Sequence, residues 1–306
     1  MKLQETKQII NNWKTFINET MTVKHGSFYP KEFSQFLELL QSHKDDIWIV
    51  FDTETTGLMY KEDYVQPTQI ACLAFDTKGF AEGTQPEPIP DGVFDVKVKL
   101  QDASLARKKA EKENPELSNY PIAKIFSMTR YGEKKGNYVT PEQAINSFEK
   151  YIDKMESAAR SGKVLFIAQN SPFDIGILNT CYKRIGRKPP NIETWDTKAA
   201  THYYLHPIAK ALKDNSEATE EDIRIVTSLL MKNGGLSSSL GQLIKAFDIQ
   251  NKGWHNAMAD VQMTMDILYN IVNYVKKASK RTKVDFSSTK QFDATAGDPY
   301  STIHKK

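Results

Sequence analysis

Two short runs, IWIVFD at 47–52 and VLFIAQN at 164–170, constrain this chain more than any other feature. Each is almost continuously apolar and rich in β-branched and aromatic residues, long enough for a strand and too short for a typical helix. A strand without polar alternation needs cover on both faces, which is the situation in the middle of a parallel or mixed sheet with helices on either side. A second strand follows at 69–76 (QIACLAFD). After a Gly- and Pro-rich loop, Phe94, Val96, Val98 and Leu100 alternate with polar residues, the pattern of a third strand covered on one face only. Thr140-Pro141-Glu142-Gln143 reads as a helix start, with Thr as cap, Pro at the first position and Gln placed for a capping box. That helix is expected to run to about Ser161 and stop at Gly162. Strands first and strand–helix alternation afterwards give an α/β domain, with a mixed β-sheet flanked by helices.

Helical spacing at Ile9, Ile10, Trp13, Phe16 and Ile17, and again at Phe33, Phe36, Leu37 and Leu40, makes residues 1–45 an N-terminal helical extension. Packing on the main domain is the plain reading of that extension, and docking to a protein partner the alternative. The main domain then spans 46–278, with a long segment at about 79–135. Within it, 101–119 is charged and helix-favouring, the composition of an exposed insertion. The charged stretch 213–222 reads as loop or exposed helix, and two helices follow at about 238–247 and 257–277. From 279 to 306 the chain is polar and punctuated by Gly and Pro, as a flexible tail is.

At 306 residues and a formal net charge of +3, the chain is less basic than a protein that only coats nucleic acid. No apolar run reaches bilayer-spanning length, and the N-terminus lacks the apolar stretch of a secretory signal. Its two cysteines, Cys72 and Cys181, indicate no disulfide framework. The default expectation is therefore a reducing, cytoplasmic setting without a membrane partner.

Asp52 and Glu54 lie two residues apart at the end of the first apolar strand, in FDTETTGL. That spacing puts both carboxylates on one face, about 7 Å apart along the chain. Two desolvated acids there repel each other unless a cation lies between them. Hard oxygen donors without cysteine or histidine beside them suit Mg²⁺ or Mn²⁺. Asp174 stands in QNSPFDIGIL, in the first turn of a helix that Ser171 can cap and Pro172 can open. Because this helix follows a buried strand, Asp174 reaches the sheet edge of Asp52 if the two strands are parallel neighbours. His255 and Asp260 stand in HNAMAD. A helix beginning near Asn256 would hold Asp260 in its first turns and leave His255 on the loop before it, where Gly253 lets the backbone flex.

Taken together and in this order, FDTETTGL, QNSPFDIGIL and HNAMAD resemble the three motifs of the DEDDh 3′→5′ exonucleases, the family of the proofreading ε subunit of bacterial DNA polymerase III and of exonuclease I. QIACLAFD, IFSMTRYGE and TWDTKAA are weaker echoes in the same register, and the resemblance covers about 47–278. It implies a ribonuclease H-like fold and a two-metal hydrolysis with Mg²⁺ or Mn²⁺ held by Asp52, Glu54, Asp174 and Asp260. It also implies that His255 is the general base, and that the products are nucleoside 5′-monophosphates. The 3′-terminal nucleotide would meet Thr55, Thr56 and Leu58, with Asn170 near a phosphate and Phe173 near a base. The TETTG form of the first motif favours DNA, and the resemblance further implies a single-stranded substrate and a place in replication or repair. The same chemistry on RNA is the alternative, as is an adaptor docking on a polymerase through residues 1–45 or the tail. His202 and His206 have zinc-ligand spacing, but without HExxH and with Pro207 directly following, the pair reads as incidental. No GxGxxG and no P-loop is present.

Overall fold

The computed structural model describes residues 33–56, 65–100, 132–213, 217–250 and 256–281. The first apolar run is the middle strand of the sheet. This strand, β1 (Ile47–Thr55), pairs antiparallel with β2 (Pro67–Asp76) on one side and parallel with β4 (Val164–Ala168) on the other. β3 (Glu87–Lys97) pairs antiparallel with β2, and β5 (Thr194–Asp196) pairs parallel with β4, giving the order β3-β2-β1-β4-β5. It is the expected mixed sheet, antiparallel on the β2 side of β1 and parallel on the β4 side.

Period-two alternation along β1 divides the core. Ile47, Ile49 and Phe51 face α2 (Pro141–Ala158) and α3 (Ser171–Arg184), packing with Phe94, Phe148, Phe166 and Leu178. Trp48 and Val50 face the opposite layer. That layer contains α1 (Phe33–Ser42), α4 (Thr197–Ala200), α5 (His206–Lys213), α6 (Glu220–Leu229), α7 (Leu240–Ala246) and α8 (Ala257–Ala278). Residues 33–42 therefore belong to the packed core: the Phe36 ring stacks on Tyr204 with centroids 4.7 Å apart and lies 5.8 Å from Trp195. Such pairs add roughly 0.5–1.5 kcal/mol beyond the area they bury. The helical spacing at 9–17, the segment 101–119 and the tail beyond 281 lie outside the described residues.

Several elements differ from their sequence reading for identifiable reasons. β3 begins at Glu87 and runs through Pro88 and Pro90, which an edge strand tolerates because half of its N–H groups have no ladder partner. α2 has the expected capping box, Thr140 Oγ1 accepting from Gln143 N–H and Gln143 Oε1 from Thr140 N–H, but it ends at Ala158. Ser171 is not the cap of α3. Asn170 holds that position in the left-handed conformation, with φ 76° and ψ 51°.

The charged stretch before residue 222 ends in α6, whose Asp222 is buried (1% exposed) instead of solvated. Its carboxylate accepts from Thr219 N–H and Oγ1, from Tyr274 Oη at 2.7 Å and from both Arg281 terminal nitrogens at 2.7 and 3.0 Å. These donors hold it well below the usual carboxylate range despite burial.

A π-turn at Thr201–Leu205 joins α4 to α5, and His206 N–H bonds to Thr201 O. Pro207 has no N–H for the α-helical ladder, which explains the wider turn. Among the described residues, no helix is long and apolar enough to cross a membrane.

Candidate metal centre

β1 continues to Thr55, whereas its pairing with β4 stops at Val50. Beyond that point the strand overhangs the carboxyl ends of its parallel neighbours, the place where open α/β sheets form crevices. Asp52 and Glu54 lie on this overhang, both in the Trp48–Val50 parity, and so face the helical layer that contains α8. The Asn256 side chain caps α8 by accepting from Met258 N–H, which places Asp260 in the first turn. One carboxylate oxygen from each of Asp52, Glu54 and Asp260 can be chosen so that all three lie within 4.8 Å of one another. Each of these residues is half-buried.

The cluster is electrostatically unbalanced. Asp52 is raised well above the ordinary carboxylate range by burial, then by the charges of Asp174, Asp260 and Glu54. Asp260 is pushed up to about 7 by burial and by Glu54. Its Oδ1 is buried and has no hydrogen-bond partner. Leaving such an oxygen unpaired costs about 1–3 kcal/mol, more when it is charged. A hard divalent cation would remove the repulsion and fill that oxygen's empty coordination. The residues present fit such an ion, with carboxylate donors only and one donor already orphaned.

Asp174 approaches from the other face of β1. It is 2% exposed, on the first turn of α3, and its Oδ1 accepts from Thr53 N–H at 3.0 Å and Thr53 Oγ1 at 2.7 Å. The parallel β1–β4 pairing required for it to reach this edge is present. Burial lifts its carboxyl to about 7, against the downward pull of the Thr53 hydrogen bonds, and Asp196 adds to the rise. Asp174 is thus close enough to perturb Asp52 but is not one of the three clustered donors.

The other sequence candidates are placed as follows. Thr55 is buried beside an irregularity in the β1–β2 register. Thr56 is fully buried, and its N–H and Oγ1 bond to Gln66 O and Gln66 N–H, both at 3.0 Å. Phe173 is half-buried and belongs to neither core cluster. Asn170 is half-buried, with its Oδ1 3.4 Å from Lys198 Nζ. Leu58, His255 and Gly253 lie outside the described residues. The two histidines of THYYLHP are directed at the 237–238 loop, His202 Nε2 to Ser238 Oγ at 3.0 Å and His206 Nε2 to Ser237 O at 3.2 Å.

Sequence reasoning missed two residues of this edge. Thr53 stood unremarked between the two acids. Asp196 stood inside TWDTKAA, where an acid between a strand and a helix was the available signal.

No protein-family model and no curated protein sequence matches the chain. Among solved structures it is similar to E. coli exonuclease I in complex with a dT13 oligonucleotide (TM-score 0.48, 16% identity, covering 77% of this chain and 43% of that one). It is also similar to the zinc-bound form of the E. coli ExoI–ssDNA complex (TM-score 0.47, 15% identity, 77% and 42% covered). A third is apo exonuclease I (TM-score 0.44, 18% identity, 75% and 44% covered). The matched region spans less than half the length of each of these proteins.

Proposed function

We propose that this chain is a metal-dependent 3′→5′ exonuclease that releases nucleoside 5′-monophosphates from single-stranded DNA. The observation that carries this reading is the convergence of Asp52, Glu54 and Asp260, from a sheet edge and a helix start more than 200 residues apart, on one set of oxygens within 4.8 Å. Repelling carboxylates with a buried, unpartnered oxygen among them support a cation-binding role over a structural one.

Asp52, Glu54 and Asp260 would hold one divalent ion, and Asp52 with Asp174 a second. When bound, such a pair supplies a water that is nucleophilic near neutral pH and neutralises charge on the leaving oxygen. The protein's own part is positional. Thr53 fixes Asp174, the β1 overhang presents Asp52 and Glu54 together, and the Asn256 cap fixes the start of α8. His255 directly precedes that cap in sequence, and an imidazole there has the right unperturbed pKa to accept the proton of the attacking water. Thr55, Thr56 and Leu58 would meet the terminal nucleotide. Asn170 and Phe173 would meet the next phosphate and base. The TETTG form of the first motif supports DNA as the substrate.

Matched DNA and RNA oligomers, each blocked at the 3′ or the 5′ end, test this with Mg²⁺ or Mn²⁺ and with chelator. Release of 5′-mononucleotides from 5′-blocked DNA, abolished by chelator and by the 3′ block, is the expected result. Activity unaffected by chelator would sink the metal mechanism, and preference for RNA would move the substrate assignment.

A further inference from the structure

Asn170 is strained. It is one of three described non-glycine residues with positive φ, and it stands at the head of α3, the helix that carries Asp174. A left-handed backbone is unfavourable for L-residues, least so for Asn and Asp. The usual compensation at this position, a side-chain cap on the following helix, is missing. The holding bond comes from a different part of the chain: Asp196 Oδ1 accepts the Asn170 N–H at 3.0 Å. Asp196 is 2% exposed, and the same oxygen caps α4 by accepting from Lys198 N–H at 2.8 Å and Ala199 N–H at 3.4 Å. β5 is brought there by its parallel pairing with β4, where Ala168 is opposite Asp196.

A carboxylate that only capped α4 would need the last two bonds. The first reaches back to the one strained residue from which Asp174 is suspended. From Asn170 the path is short and rigid, because Phe173 N–H closes on Asn170 O at 2.9 Å and Asp174 is the next residue.

We infer that Asp196 is a positioning residue for the metal centre, holding Asp174 in place through the left-handed backbone of Asn170. The inference rests on the metal-site reading above. Two variants separate it from a capping role. Asp196→Ser retains a side-chain oxygen short enough to cap α4 but withdraws the reach to Asn170. Asn170→Val leaves Asp196 and α4 intact but opposes the left-handed conformation with a β-branched side chain. Asn170→Gly adopts that conformation without steric cost.

The readout is the Mn²⁺ concentration that half-saturates the rise in melting temperature of the full chain, with the melting temperature in chelator as a separate measure of fold. Partners of ligand residues typically change metal affinity by about 10–100-fold when removed. Asp196→Ser and Asn170→Val are each expected to raise the Mn²⁺ midpoint by roughly tenfold or more. The double variant should be little worse than either, because both cut one linkage. Asn170→Gly should recover most of what Asn170→Val loses.

A lower melting temperature in chelator with an unchanged Mn²⁺ midpoint in both variants would overturn the inference and leave Asp196 a cap. Loss in Asp196→Ser with none in Asn170→Val would overturn it too. If Asp196→Ser fails to fold, the Asn170 pair decides alone: Val raising the midpoint and Gly restoring it supports the linkage, and no difference between them refutes it. Wild-type protein that ignores Mn²⁺, or Asp52→Asn that binds it as wild type does, would instead bring down the metal site itself.

Discussion

Replacing Asp260 by Asn should make the metal-free protein more stable while removing most of its response to metal. In open water this carboxyl titrates near 3.8, and in the fold it is held at about 7. A carboxyl raised in this way costs nothing at a pH low enough for it to be protonated in both folded and unfolded chains. Its cost grows as pH rises through the window from 3.8 to about 7 and is complete by pH 8. At about 1.4 kcal/mol per tenfold, a fully desolvated group would destabilise the fold by ~4 kcal/mol at pH 8. Asp260 is only half-buried, and halving for the solvent that still screens it leaves ~2 kcal/mol. For a domain of this size that corresponds to a melting temperature ~4–8 °C higher in Asp260→Asn than in wild type. Thermal melts in chelator at pH 8 measure it, and the gap should close steadily as the buffer is taken toward pH 4. On adding Mn²⁺ the order should reverse, wild type rising and the variant barely moving. A variant that melts at or below wild type in chelator at pH 8 would falsify the premise that these acids are held together against their mutual repulsion.

Asp52→Ala should abolish mononucleotide release from DNA with circular dichroism unchanged; near-normal turnover with Mg²⁺ present would mean the site is misassigned. His255→Ala should lower turnover by about 10²–10⁴-fold yet leave the Mn²⁺-induced rise in melting temperature intact, whereas equal loss of both would make it a ligand or a structural residue. Asp222→Ala should destabilise the fold by about 1–3 kcal/mol, since it leaves the buried Tyr274 hydroxyl without its acceptor while Arg281, a third exposed, can turn to water; chemical denaturation near neutral pH reads this directly. Because Asp222 is held below its ordinary value, its contribution should fade only as pH drops through the acid range.

The parts of this fold that could be read from sequence are those whose cause is local or periodic. Fully apolar runs marked β1 and β4, and Thr140 with Gln143 marked the start of α2. The D-x-E spacing on a strand was enough to pair Asp52 with Glu54. Asp174 needed only the added premise of parallel neighbouring strands, which the pairing supplies. What escaped is set by contacts distant in sequence. Asp222 looked like one more solvated charge because its partners arrive from far along the chain, Tyr274 from the last turns of α8 and Arg281 from just beyond it. Likewise, Ser171 looked the better cap, whereas Asn170 holds that position left-handed with its N–H bonded to Asp196, 26 residues on. Thr53 carries no charge, so only its two bonds to Asp174 reveal its part in the site.

α8 runs unbroken from Ala257 to Ala278, with Asp260 near one end and Tyr274 near the other. At 1.5 Å per residue these two side chains are separated by about 21 Å of stiff rod. The rod is moored at its far end by the Asp222 carboxylate and along its length by the sheet, so the start of the helix inherits an aim fixed elsewhere. A rotation at the mooring would displace Asp260 in proportion to that lever arm, which makes the remote end of α8 part of the tolerance to which the carboxylate cluster is built.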